Sequence, residues 1–202
     1  MRSIRVVVCL VGMVALAALP GAAVAQEKPQ PKAGAAGQEA PAGPPMPKPG
    51  LHHSHLARVA GTWDATVEFF GPPGTPPQVS KAVEVNTLDG SGLWLISEFK
   101  GEYGGQPFQG HGMTGYDPDK GRYTGVWADS MSTTPMISQG TCDGTGRVRT
   151  MTSEGPGADG KPVTWKMIDE EKGADTRVFT MSAPGPGGKD QVMMKITYTR
   201  RK

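Results

Sequence analysis

Cysteine is scarce in this 202-residue chain, which has only Cys9 and Cys142. Cys9 lies in an N-terminal segment expected to be removed, so the remaining chain keeps one thiol and forms no internal disulfide. Cys142 then reads as a small buried hydrophobe, with a reactive thiol or an intermolecular bridge as the alternatives. An excess of one charge is lacking too. Without Arg2 and Arg5, Lys plus Arg falls from 21 to 19 and meets 19 Asp plus Glu. A neutral chain without a basic stripe argues against nucleic acid or an anionic membrane as partner. Beyond the first residues no apolar stretch could anchor the chain, so no membrane insertion is expected. Complete catalytic signatures are also missing: there is no nucleophile elbow, no zinc-ligand helix and no full triad.

What is present begins with an export signal. Arg2 and Arg5 form a basic n-region, Val6 to Leu19 an apolar run, and Ala23-Val24-Ala25 a small-residue cleavage site, together a secretory signal peptide over residues 1–25. Cleavage near Ala25 would place the protein in the periplasm or outside the cell. Cys9 sits inside the apolar run and not at its end, which speaks against a lipoprotein. Residues 26–50 carry seven prolines (29, 31, 41, 44, 45, 47 and 49) and no aromatic or β-branched residue. Such a segment cannot bury a core and reads as a disordered Pro/Ala/Gly-rich linker. Residues 51–202 have the usual size of one globular domain.

Within that domain the period is two. Val192, Met194, Ile196 and Tyr198 alternate with Met193, Lys195, Thr197 and Thr199, and Val163, Trp165 and Met167 repeat the pattern. Turn chemistry such as Gly71-Pro72-Pro73-Gly74, Asp89-Gly90-Ser91-Gly92 and Asp117-Pro118-Asp119-Lys120-Gly121 separates the runs. Strands are predicted at 63–70, 78–87, 93–100, 106–116, 122–131, 134–142, 146–153, 162–169, 176–182 and 190–200, with one short helix near His52 to Val59. About ten evenly spaced strands indicate an all-β fold, and closure into an up-and-down antiparallel β-barrel removes exposed edges.

An even strand count has a geometric consequence. The last strand lies antiparallel to the first, so Arg200, which shares the parity and the expected inward face of Val192, Met194, Ile196 and Tyr198, comes to Trp63. A guanidinium over the indole would be a cation–π cap worth about 0.5–2 kcal/mol. Gly61-Thr62-Trp63 behind a short helix, with a late basic residue, resembles the start and closure of calycin (lipocalin-like) ligand-binding barrels. Gly61, Trp63 and Arg200 are therefore expected to close the barrel. More broadly, Gly61-Thr62-Trp63-Asp64, Trp94 to Gly101, Gly112 to Asp117, Trp127 to Thr133 and Ile196 to Arg200, with His53 eight residues before Gly61, resemble the bacterial family called domain of unknown function 1579. The resemblance spans almost all of residues 51–202 and implies a calycin-like barrel but no reaction. His111 departs from the family pattern, which usually has an apolar residue there.

Other motif matches dissolve on inspection. Gly110 to Gly115 satisfies G-x-G-x-x-G, but a turn and another strand follow it where a dinucleotide needs a helix N-terminus. Gly155 to Lys161 fits a phosphate loop except that Pro162 replaces the magnesium-binding hydroxyl. Asp117 and Asp119 begin like a calcium loop, yet Gly121 and Ala128 stand where ligands belong. Gly-x-Trp recurs at Gly92-Leu93-Trp94 and Gly125-Val126-Trp127, which places aromatic core residues at strand starts rather than marking propeller blades.

The candidate site lies in the lumen. Trp127, Asp129, Tyr123 and Met131 share one strand face, and Trp94, Ile96 and Glu98 share another. If both faces point inward, two carboxylates stand among tryptophans and methionines. The expected ligand-binding set is Trp94, Glu98, Trp127, Asp129, Met131, Trp165 and Met167. His52, His53 and His55 with eight methionines raise copper, but helix capping and core filling are the plainer account, so no metal and no cofactor are expected. The favoured function is non-enzymatic binding of a small apolar ligand. The alternatives are an enzyme or haem-type site using Glu98, Asp129 or His111, and a structural partner domain of the cell envelope.

Overall fold

Among the described residues ten strands follow one short helix, and sequence parity decides which side chains each strand turns inward. The computed structural model describes residues 43–72, 74–157, 160–185 and 188–202. The expected signal peptide and residues 26–42 of the expected linker lie outside the described residues. The elements are α1 (Leu51–Arg58), β1 (Gly61–Phe69), β2 (Gln78–Leu88), β3 (Trp94–Tyr103), β4 (Gln106–Asp117), β5 (Arg122–Asp129), β6 (Met136–Cys142), β7 (Val148–Pro156), β8 (Pro162–Glu171), β9 (Thr176–Pro184) and β10 (Asp190–Arg200). Each strand pairs antiparallel with its sequence neighbours, and β1 pairs with β10 to close an all-β barrel. Among the described residues no helix is long and apolar enough to cross a membrane.

The turn chemistry works as its residues require. Asp89 accepts from the backbone N–H of Leu93 and Trp94, and Asp143 from those of Arg147 and Val148. Asp117 accepts from Asp119 and Lys120 N–H groups and pairs with the Lys120 ammonium, so the calcium-like spacing serves a turn. One local expectation needs correction. Val192 does not share the inward face of Met194, Ile196 and Tyr198, because the register of β10 on β9 shifts between Val192 and Met194. The bulge turns Val192 out, where it is 39% exposed.

One end of the barrel is sealed. Helix α1 drops Leu56 and the following Val59 onto Leu95, Tyr123, Met151 and Met167. The Trp63 indole N–H donates to the Val59 carbonyl at 2.9 Å. Arg200 stands 4.1 Å from the Trp63 ring centre and donates to the carbonyls of Arg58, Ala60 and Ala174. It thus serves two carbonyls left free at the end of α1, where a cation also suits the helix dipole. Gly61 makes this approach possible. Its φ of +124° suits glycine, and a Cβ there would come within 2.7 Å of an Arg200 nitrogen.

The helix histidines hold the same seal. His53 Nδ1 accepts from the Gly50 N–H at 2.9 Å, an N-terminal cap. His52 stacks on Tyr116 at 3.8 Å, and both His52 and His55 place Nδ1 3.2 Å from the Tyr123 hydroxyl. Burial, helped by Arg58, holds His55 below the ordinary histidine range, while burial pushes the Tyr123 phenol up to about 12. Cys142 packs partly buried against the same cluster, and burial raises its thiol.

Candidate functional site

The strand ends opposite α1 surround an open cavity of about 640 Å³ in the lumen. Its walls take one inward side chain after another from nearly every strand: Val67, Leu95, Phe99, Trp127, Met151, Met167, Phe179, Met181 and Ile196 among them. Phe99 is the aromatic hub, edge-on to Phe108 at 5.9 Å and to Trp127 at 6.3 Å. Phe69 and Tyr103 meet at 4.6 Å by the mouth.

Glycine makes room for Trp127. Gly110 and Gly112 sit opposite Asp129 and Trp127 in the register of β4 on β5. A Cβ at Gly110 would overlap the Trp127 ring, and one at Gly112 would lie 3.1 Å from it. The indole therefore lies flat against bare backbone. Asp129 fixes the ring's far edge by accepting the Trp127 indole N–H at 2.9 Å and ties itself to the Met131 N–H at the same distance. Gly115 performs the same service outside, where a Cβ would meet the Trp94 ring at 2.5 Å. The G-x-G-x-x-G spacing is thus two inner beds and one outer bed for tryptophan.

A chain of buried charges crosses the wall. Arg177 lies between Tyr198 and Trp63, 3.7 Å and 5.1 Å from their ring centres. It donates to Glu84 through Nη2 and to Asp169 through Nη1 at 3.3 Å. Asp169 in turn accepts from Arg149 at 2.7 Å. Glu84 also accepts from the Tyr198 hydroxyl at 3.0 Å and from the Asn86 amide at 2.6 Å. Burial works against the Arg177 charge, yet the carboxylates of Asp169 and Glu84 outweigh it and hold the guanidinium above its ordinary range. Burial, reinforced by Glu84, keeps the Tyr198 phenol well above its usual value, so it stays a neutral donor. Two atoms remain without partners: Arg177 Nε and Asn86 Oδ1 are buried and bond nothing among the described residues.

The family profile described as "Protein of unknown function (DUF1579)" matches residues 48–200. The chain belongs to this family. Among solved structures the DUF1579 barrel is similar to Rv2717c from M. tuberculosis, at 17% identity and a TM-score of 0.56, covering 76% of this chain and 99% of that one. It is also similar to the S-type phycobiliprotein lyase CPES from Guillardia theta, at 13% identity and a TM-score of 0.48, with the same coverage of each chain. These likenesses concern the fold. No curated protein matches the sequence.

The DUF1579 barrel gathers some of the sequence-predicted site residues and separates others. Trp127, Asp129, Met131, Trp165 and Met167 all line the cavity. Trp94 and Glu98 do not. The register Glu84 to Phe99 and Asn86 to Ser97 turns Leu95, Ser97 and Phe99 of β3 inward, which sends Trp94, Ile96 and Glu98 to the outer surface. A one-residue change of parity exchanges a strand's faces. Burying Leu95 and Phe99 wins over burying Glu98, and Trp94 finds its apolar bed on Gly115 instead. His111 sits opposite Glu98 on the same outer surface, exposed. Glu98, Asp129 and His111 therefore share no site, and no histidine lines the cavity among the described residues. No group of three or more His, Cys, Asp and Glu is placed to hold a metal among the described residues.

Sequence reasoning passed over the buried chain Glu84, Arg177, Asp169 and Arg149. Period-two parity held a usable signal. Asp169 follows Trp165 and Met167, and Arg177 precedes Phe179 and Met181, on the same faces. For β2 the signal pointed the wrong way, since Val83 and Val85 invite burial and yet face out while Glu84 and Asn86 face in.

Proposed function

We propose that this protein is an exported, non-enzymatic binder that holds a small apolar molecule in its barrel lumen. The cavity carries the reading. At about 640 Å³ it falls within the roughly 300–1,000 Å³ typical of ligand pockets, and carbon-rich side chains form most of its wall. A purely structural barrel would be expected to fill its lumen with side chains. Methionines at 131, 136, 151, 167, 181 and 194 line the cavity, and their flexible thioethers adapt to varied apolar shapes. Trp127, Asp129, Met131, Trp165 and Met167 belong to the proposed binding wall, while Gly61, Trp63 and Arg200 close the opposite end. The enzyme and haem-type readings lose support because Glu98 and His111 lie outside the lumen. Export rests on the basic, apolar and small-residue segments of residues 1–25.

Native mass spectrometry of the mature protein from its own host, with an absorption spectrum of the same sample, tests the proposal. A co-purifying mass that leaves on denaturation is expected, as is uptake of the apolar dye 1-aminoanthracene with blue-shifted emission. A chain that flies at its own mass alone and leaves the dye in water would end the reading. An N-terminus beginning near Gln26 would confirm processing, and an intact Met1 would refute export by this route.

A further inference from the structure

The lumen is apolar, but its ionisable wall residues are unevenly charged. Glu84, Glu102, Asp129 and Asp169 oppose only Arg149 and Arg177. Both guanidiniums are already committed. Arg177 holds Glu84 and Asp169, and Arg149 holds Asp169. An anionic ligand would thus add a further negative charge to a wall whose carboxylates already outnumber and neutralise its two cations. Desolvating a charge without a free partner is expensive.

The same wall has a vacancy of another kind. Arg177 Nε is a donor without an acceptor, and Asn86 Oδ1 is an acceptor without a donor. Arg177 is 4% exposed and Asn86 2%, both line the cavity, and both bond Glu84 Oε1 with their other nitrogens. Glu84 thus ties the two unpartnered residues together at the Trp63 side of the lumen. Turning the Asn86 amide over would set its oxygen against the Glu84 carboxylate, so the protein cannot cure the defect alone. Buried polar atoms left unpaired cost free energy that a ligand recovers by supplying partners. Reaching them takes a small shift of floor side chains, which unbranched methionines on the same wall permit.

We propose that the ligand is an elongated apolar molecule with one neutral polar end that both accepts and donates a hydrogen bond, of the amide or lactam class, seated toward Asn86 and Arg177. This rests on the lumen-binding reading and deepens it. The head's carbonyl takes the Arg177 Nε proton in a hydrogen bond, and its N–H serves Asn86 Oδ1. The apolar body lies along Phe99, Trp127 and Phe179 toward the mouth.

Displacement of 1-aminoanthracene from the mature protein at pH 7.5 by four ten-carbon compounds tests this. Decanamide is neutral with donor and acceptor, methyl decanoate accepts only, decanoate is an anion and decylamine a cation. Decanamide is expected to displace the dye at a concentration at least tenfold below that of decanoate or decylamine, and severalfold below the ester. Asn86→Leu should erase the advantage of the amide over the ester, with dye uptake reporting that the variant is folded. Decanoate or decylamine binding as tightly as decanamide overturns the inference. Equal binding of all four overturns it while the lumen-binding reading stands, and failure of the dye and all four to enter overturns both.

Discussion

Arg177 shows how much one side chain can be asked to do. It neutralises Glu84 and Asp169, stacks on Tyr198 and faces Trp63, all away from water. Removing one partner of such a cluster leaves buried carboxylates uncompensated, at a cost of about 3–5 kcal/mol. Arg177→Met should lose that much in urea unfolding, and adding Glu84→Gln should restore part of it; a loss under about 1 kcal/mol would show the charges to be solvated. His55 makes a smaller, pH-dependent contribution. Burial lowers its folded affinity for a proton, so its contribution is present above the ordinary histidine value near 6.5 and is lost as pH falls through the lower folded value. Between pH 7.5 and 5.5 the melting temperature of the parent chain should fall further than that of His55→Asn; parallel curves would refute the linkage. Parity hinted that Arg177 faces inward, but neither its full set of partners nor the burial of His55 was legible in sequence. Arg177 sits in an unremarkable Thr-Arg-Val-Phe run; Asp169 of β8 lies only 8 residues away, but Glu84 of β2 lies 93 residues away along the chain.

At the scale of elements, strand parity and turn chemistry were readable and face assignment was not always so. Asp-Gly and Gly-Pro signals marked most turns within a residue or two, because a turn is a local event. Which face of β3 points inward depended on pairing with β2 and β4, and Trp94 and Leu95 competed for the same place. The glycines of β4 decided the outcome by bedding one tryptophan inside and one outside. Gly110→Ala should push Trp127 off its bed, cost about 1–3 kcal/mol by overpacking and shift the tryptophan emission. Gly144→Ala, with nothing within 4 Å of its new methyl, should be close to neutral and serves as the control.

For the whole molecule, closure is the governing event. The β1 to β10 seam joins the first and last strands of the domain, and Arg200 locks it by binding the end of α1 and covering Trp63. Arg200→Ala should lower stability by about 2 kcal/mol or more, since charged hydrogen bonds and a cation–π contact go together. Exchange of the β1 and β10 amides should quicken before that of β4 and β5; uniform loss across the barrel would argue that the seam is not the weak line. Periodicity and turn chemistry determined the all-β class and a count of about ten strands, because alternation and turn residues are properties of neighbouring residues, and up-and-down closure with the calycin resemblance pointed to the Trp63 and Arg200 pairing. Only the tertiary structure decided that Glu84, Arg177, Asp169 and Arg149 meet, that Glu98 and His111 stay outside, and that the lumen is left open. Those outcomes depend on register and on distant strands curling into one wall, which no local pattern encodes.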